Sequence, residues 1–184
     1  MSGHNKWSQI KHQKGAEDAK KSKLYSMMGR LVTIQARLAG GDMSSPALRA
    51  AIEKARKANV TTDVIERAIG RGSPSTGSGQ AAFEEVLYEA YGPGGVALVI
   101  EGITDSRNRT SNEIKRILAD NGGSLGGPGA TTWAFARQKD AEGNMIWEAT
   151  TKIPVPETDQ PKLGALIDLL ENHDDVKTVA NNAE

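Results

Sequence analysis

No cysteine occurs anywhere in the 184 residues. Disulfides, thiol nucleophiles and cysteine-based metal sites are thereby excluded, and the composition suits a reducing compartment. Aromatic residues are scarce, with three Trp, three Tyr and two Phe, so the cores must be built from Ala, Ile, Leu and Val. The longest aliphatic run, Val96 to Ile100, is far short of the roughly 20 apolar residues of a membrane-spanning helix. The N-terminus has no apolar signal segment. A soluble, cytoplasmic protein without a membrane partner is expected.

Motifs of chemistry are missing as well. Gly122-Gly123-Ser124-Leu125-Gly126 spells G-x-S-x-G, but a nucleophile elbow runs from strand to helix, and here a helix comes first. The same glycines do not make a dinucleotide fingerprint, and there is no P-loop; they read as a mobile loop entering a strand. His4 and His12 stand eight apart without an intervening carboxylate, a poor metal site. Glu84-Glu85 and Asp174-Asp175 are adjacent pairs, better suited to solvated charge than to acid/base work. No enzyme activity, cofactor, metal or small-molecule substrate is expected.

Net charge is zero overall, yet the two ends of the chain differ sharply. Residues 1–72 hold 14 Lys and Arg against 6 Asp and Glu, a net +8, and residues 73–184 hold 9 against 17, a net −8. An asymmetry of this size suits a polyanionic partner for the basic part; it also suits attraction between the two halves. The basic end opens on Ser2 to Gly15, a run containing His4, Lys6, Trp7, Lys11, His12 and Lys14 and no acid. Lysines neutralise phosphates without reading sequence, and a tryptophan face stacks on an unpaired base. The alternative is that Trp7 pins the arm to its own domain while the lysines are merely solvated.

Apolar residues at Leu24, Met28, Leu31, Ile34 and Leu38, with Met27 and Val32 beside them, predict an amphipathic helix over about 16–39. Its basic residues Lys20, Lys21, Lys23, Arg30 and Arg37 extend the positive surface. Ser45-Pro46 signals a second helix, to about Asn59, that buries Leu48, Ala51, Ile52 and Ala55 and exposes Arg49, Lys54, Arg56 and Lys57. A third helix turns Val64, Ile65, Ala68 and Ile69 inward and ends near Gly70 and Gly72. The last two helices have the order of a helix-turn-helix, although Asp63 and Glu66 beside Arg67 and Arg71 suit base reading poorly. Residues 73–80 are a Gly/Ser linker by composition.

Beyond the linker, alternation predicts strands at 83–91 and 96–103, a helix over about 108–121, strands at 131–137 and 145–153, a helix from Pro161 and a strand at 176–180. The fold class is therefore α+β: a three-helix bundle over 1–72, then a ferredoxin-like α/β domain over 81–184 with one extra hairpin strand. Arg107 and Arg109, in the stretch Thr104 to Thr110, cluster where a strand enters a helix N-terminus. This position favours anions, and it equally permits local capping with a salt bridge to Asp105.

Several of these stretches, in order, resemble the YebC/PmpR family. They are Ser2 to His12, Ala16 with Asp18-Ala19-Lys20, Ala36-Arg37-Leu38 with Gly40-Gly41-Asp42, Leu48 to Ile52, Ile65 to Ile69, Tyr88 to Ala97, Arg107 to Thr110, Leu166-Ile167-Asp168 and Asp174-Asp175-Val176. The resemblance implies a cytoplasmic DNA-binding transcriptional regulator; mitochondrial relatives are translational activators and bacterial members are connected to the ribosome. It also implies three domains, the third inserted into the second. Between Arg137 and Ile153 stand only about fifteen residues where that domain usually lies, so the chain resembles an insertion-free version. Ser106, commonly asparagine in the family, and the ending Ala180 to Glu184 are smaller departures. The expected partner is DNA, bound through His4, Lys6, Trp7, Lys11, His12, Lys14, Lys20, Lys21, Lys23, Arg30, Arg37, Arg107 and Arg109. The alternatives are rRNA in the ribosome, and a protein partner for the acidic half.

Overall fold

The computed structural model describes residues 3–73, 82–141 and 145–184, with side chains of the first helix described from Asp18 onward. Two compact units divide the chain, Met1–Phe83 and Glu84–Glu184. Of the predicted linker, only Ser73 lies within the described residues.

The first unit is helical, with α1 at Gly3–Leu38, α2 at Pro46–Lys57 and α3 at Thr62–Gly72. α1 starts at Gly3 instead of the predicted Ala16, so the basic arm belongs to the helix. No proline precedes Pro46, and a single interior glycine such as Gly15 costs only about 1 kcal/mol. Pro46 occupies the first turn of α2, where its missing N–H is no loss. Ser45 and Thr61 stand at the N-caps as expected, but neither side chain makes a capping hydrogen bond. Their carbonyls instead accept the backbone N–H groups of Arg49 at 3.0 Å and Ile65 at 3.2 Å.

The core of this unit joins Met28, Val32 and Ala36 of α1, Leu48, Ala51, Ile52 and Ala55 of α2, and Ile65 and Ala68 of α3. The predicted α2 face is the observed one. On α1 the buried stripe passes through Val32 and Ala36, while Leu24 and Leu38 remain 43% and 73% exposed. Met27, Met28, Val32 and Ile34 are buried as predicted; small side chains add Ala36, because they let α3 approach. A Cβ on Gly72 would lie 2.4 Å from the Thr33 carbonyl oxygen and 2.7 Å from Ala36 Cβ. The Thr33 hydroxyl sits 3.0 Å from the Gly29 oxygen and 3.1 Å from the Ala68 oxygen, bridging the two helices.

The second unit holds β1 at Glu84–Tyr91, β2 at Ala97–Thr104, α4 at Arg107–Asp120 and β3 at Ser124–Leu125. It continues with β4 at Phe135–Lys139, β5 at Met145–Ala149, α5 at Gln160–Asn172 and β6 at Val176–Asn181. An antiparallel sheet in the order β3-β1-β2-β6 has α4 and α5 on one face, where Leu98, Ile100, Ile114, Leu118, Leu166 and Leu170 are buried together. The expected α+β class, helical unit first, is the observed one.

The strands predicted at 131–137 and 145–153 are placed differently. Residues 132–134 form a 3-10 turn, and β4 pairs only with β5 as a separate hairpin. That hairpin covers the opposite face of β2, where Ala97 and Val99 meet Ala134, Phe135, Trp147 and Ala149. The sheet edge beside β1 goes to the two-residue β3. Since β2 needs apolar cover on both faces, the hairpin does more as a lid than as further sheet strands.

Gly72→Ala is expected to destabilise the first unit by about 1–3 kcal/mol, because the added methyl meets backbone that has nowhere to go. Gly70→Ala, with nothing within 4 Å of the new methyl, is expected to be neutral or stabilising. Denaturant unfolding of the two variants against the parent protein checks both.

Candidate nucleic-acid interface

The side chains of His4, Lys6, Trp7, Lys11, His12 and Lys14 lie outside the described residues, although their backbone is in α1. Lys20 and Lys21 are exposed on α1, and Lys21 Nζ lies 5.6 Å from the centre of the Tyr25 ring. Lys23 is half-buried. Arg30 and Arg37 have local work. The Arg30 guanidinium lies 5.3 Å over the Phe83 ring, and Arg37 Nη2 donates to the Phe83 carbonyl oxygen at 3.2 Å. The last residue of the first unit is thus held on α1 by a cation–π contact and a hydrogen bond.

Arg107 and Arg109 belong to the second unit and both are matched by carboxylates. Arg107 Nη2 donates to Glu84 Oε2 at 2.8 Å. Arg109 Nη2 bridges Asp105 Oδ1 at 2.9 Å and Asp175 Oδ2 at 2.8 Å. Hydrogen bonds to Asp175 and then to Asp105 raise the affinity of the Arg109 guanidinium for its proton. Buried Asp175 also accepts the Thr110 hydroxyl at 2.6 Å, and Thr104 Oγ1 lies 3.3 Å away. Thr104 Oγ1 in turn accepts the Ser106 N–H at 2.8 Å. Gly102 makes the arrangement possible, since a Cβ there would lie 2.5 Å from the Asp175 carbonyl oxygen.

Glu113, His173 and Asp175 offer three ligand atoms within 4.8 Å of one another, a grouping the sequence does not announce. Their charge is already answered by Arg109, whose Nε also lies 4.0 Å from Glu113. The Asp175 N–H donates to His173 Nδ1 at 3.1 Å, so the neutral ring carries its proton on Nε2, facing Glu113 at 2.9 Å.

Four of the other cations of this unit are matched in the same way, while Lys115, Lys139 and Lys152 are exposed without a carboxylate partner among the described residues. Arg137 and Trp147 Nε1 both donate to Glu101 Oε1, the latter at 3.0 Å, and the Arg137 guanidinium stacks 4.6 Å over the Trp147 ring. Lys177 lies 3.6 Å from Glu101, Arg116 3.6 Å from Asp120 and Lys162 3.6 Å from Asp159. In the helical unit the contrast is plain. Among the described residues, Lys20, Arg49, Arg56, Lys57 and Arg71 are exposed and none is paired with a carboxylate.

Two further polar residues hold the second unit, and the sequence signals neither. The Glu89 carboxylate accepts N–H groups of Gly129, Thr131 and Thr132 at 2.7, 2.7 and 2.8 Å. With the Tyr91 hydroxyl on the Ala130 oxygen at 2.6 Å and the Gly126 N–H on the Glu89 oxygen at 2.7 Å, these bonds tie down the glycine loop predicted to be mobile. Burial works against the Glu89 charge, but the three N–H donors outweigh it and hold the carboxyl below its ordinary 4.5. Asn182, near the end of the chain, accepts the Ala97 N–H at 2.8 Å and donates to the Thr151 oxygen at 3.0 Å.

Among the described residues, a helical unit with several exposed cations lacking carboxylate partners is followed by an α/β unit in which six of nine Lys and Arg are paired with carboxylates, which defines a two-module protein. Comparison with known proteins then gives the family. Residues 5–75 match the model of the TACO1/YebC protein N-terminal domain, and residues 83–142 match that of the TACO1/YebC second and third domain. The chain belongs to the TACO1/YebC family. It is 48% identical over 149 residues to a "Probable transcriptional regulatory protein" of Dictyoglomus turgidum, covering 80% of this chain and 57% of that protein. It is 51% identical over 136 residues to one of Dictyoglomus thermophilum, covering 73% and 54%. The chain thus spans about half the length of the curated relatives it matches. The crystal structure of a conserved hypothetical protein, Aq1575, from Aquifex aeolicus superposes with a TM-score of 0.78 at 28% identity, covering 91% of each chain.

Glu89→Gln turns an amide nitrogen toward backbone donors and is expected to cost about 1.5–3 kcal/mol at neutral pH. The folded-state value of Glu89 is depressed, so its stabilisation is complete above the ordinary carboxylate range and is lost as pH falls through the lowered folded value. Melting temperatures of the parent protein and the variant are therefore expected to converge as the pH is taken below about 4. Asp175→Ala removes the acceptor shared by Arg109 and Thr110, but Arg109 is half exposed and keeps Asp105, so the expected cost in denaturant unfolding is about 1–3 kcal/mol.

Proposed function

We propose that this protein is a non-enzymatic regulator of gene expression that binds nucleic acid, DNA in the first place, through its helical unit. The observation that carries this reading is the division of cations. Most of those in the α/β unit have carboxylate partners, while the helical unit presents Lys20, Arg49, Arg56, Lys57 and Arg71 unpaired among the described residues. Unpaired surface cations displace counterions from a polyanion, and that release drives sequence-independent association. The name carried by the relatives, probable transcriptional regulatory protein, supports the same direction.

The arm residues His4, Lys6, Trp7, Lys11, His12 and Lys14 are assigned to this surface with Lys20, Lys21 and Lys23. Arg30 and Arg37 join it less directly, since both also hold Phe83. Arg107 and Arg109 contribute least, because their guanidinium groups are committed to Glu84, Asp105 and Asp175. In this reading the chain is two modules, with the β4–β5 hairpin standing where relatives place an inserted domain. An rRNA-lined site on the ribosome is the second reading. It is favoured by α3, whose exposed Asp63 and Glu66 beside Arg67 and Arg71 make a weak reader of base edges.

Binding to duplex DNA, single-stranded RNA and purified ribosomes over a salt series tests the proposal. If about six phosphates are neutralised, log K for DNA falls against log salt with a slope near −5. A Lys6/Lys11/Lys14→Ala variant is expected to lose about half of that slope. An unchanged slope places the contact elsewhere, and ribosome binding that survives salt abolishing DNA binding assigns the protein to translation.

A further inference from the structure

The exposed side of α2 carries three cations without a side-chain partner among the described residues. Leu48, Ala51, Ile52 and Ala55 face the core, and at 100° per residue the opposite side presents Arg49, Ala50, Glu53, Arg56 and Lys57, all exposed. Glu53 is the one acid in the helix. Arg56 and Lys57 lie in its last turn, where cations favour the helix dipole. Arg49 lies in the first turn, where a cation opposes the dipole. Among the described residues, Arg49, Arg56 and Lys57 have no side-chain partner. The helix dipole therefore accounts for Arg56 and Lys57 but not for Arg49, and an external anion accounts for all three.

We propose that Arg49, Arg56 and Lys57 on α2 form a phosphate-contacting surface for the backbone of a double-stranded nucleic acid, indifferent to its sequence. The inference rests on the nucleic-acid reading above and adds a helix that the arm-centred view omits. Arg49 and Arg56 are seven residues apart, about 10.5 Å along the helix axis at 1.5 Å per residue. That spans about three phosphate steps of one strand at 3.4 Å each along the duplex. No aromatic residue stands on α2, so the face cannot stack on bases as single-strand binders do. Phosphate contacts position a protein without reading sequence. α3, the second helix of the pair and the one that would read bases in a helix-turn-helix, exposes Asp63 and Glu66 as well as Arg67 and Arg71. α2 is therefore the helix turned to the ligand.

Fluorescence anisotropy over a salt series tests this, using short DNA duplexes of two unrelated sequences, an RNA duplex of equal length and a single-stranded oligonucleotide. For duplex DNA, R49Q/R56Q/K57Q is expected to flatten the slope of log K against log salt by about 2.7, equally for both sequences. R49K/R56K/K57K is expected to keep it. Glu53→Lys is expected to steepen it by about 0.9, a gain that an unfolded variant cannot produce. Equal flattening on DNA and RNA duplexes assigns the surface to either backbone, and flattening on DNA alone assigns it to DNA. Wild-type binding with a slope unchanged in the glutamine variant, or flattening confined to the single strand, overturns this inference and leaves the nucleic-acid function standing. A wild-type protein that binds none of the four ligands overturns the function, and this surface with it.

Discussion

β2 is buried on both faces, and the second unit is arranged to keep it so. Seven of its eight residues are buried. Leu98 and Ile100 require the cover of α4 and α5, while Ala97 and Val99 require that of the β4–β5 hairpin. A strand with two apolar faces cannot sit at the surface of an open sheet, so it takes a central place and its neighbours arrange themselves around it. The polar anchors follow from that demand. Glu101 is the least buried residue of the strand, and it holds Arg137 and Trp147 of the hairpin. Thr104, at the other end, joins the Asp175 network that fixes the start of α4 to the start of β6.

The same anchors explain why an acidic unit still holds its arginines close. Carboxylates outnumber cations there, and each arginine that fastens one element to another finds an acid in reach. Arg109 fastens α4 to the segment before β6, and Arg137 fastens the hairpin to β2. These pairs are architectural. The helical unit is fastened by shape instead, through the close approach at Gly72 and the alanines of α1, α2 and α3. Among the described residues its core is apolar, and the exposed cations Arg49, Arg56 and Lys57 have no carboxylate partner. The two units thus differ in emphasis: close apolar packing dominates the helical unit, while ion pairs tie elements together in the α/β unit.

Much of this was legible in the chain. The period of Leu48, Ala51, Ile52 and Ala55 gave the buried face of α2, because a 12-residue helix with one apolar side has few ways to pack. The division of charge located the two units. Other features were not legible for identifiable reasons. The stripe on α1 keeps Met27, Met28, Val32 and Ile34 but takes in Ala36 and leaves Leu24 and Leu38 exposed, because periodicity records apolarity and not the closeness that small residues permit. The loop after α4 looked mobile because glycine frequency says nothing of Glu89, 40 residues earlier, whose carboxylate receives the Gly129 N–H. Arg107 and Arg109 stand in an anion-friendly position along the chain; the salt bridge to Asp105 four residues before Arg109 was legible and is formed, whereas Glu84 beside Arg107 and Asp175, 66 residues from Arg109 in sequence, were not.

The sequence by itself determined the helical unit followed by an α/β unit, the apolar face of α2 and the charge of each part, since these depend on residues near one another in the chain. Tertiary structure alone decided which cations stay available and which are consumed. It also decided that β4 and β5 cover β2 instead of joining its sheet. Both outcomes depend on which carboxylate or apolar face lies opposite in space, and local pattern carries no record of that.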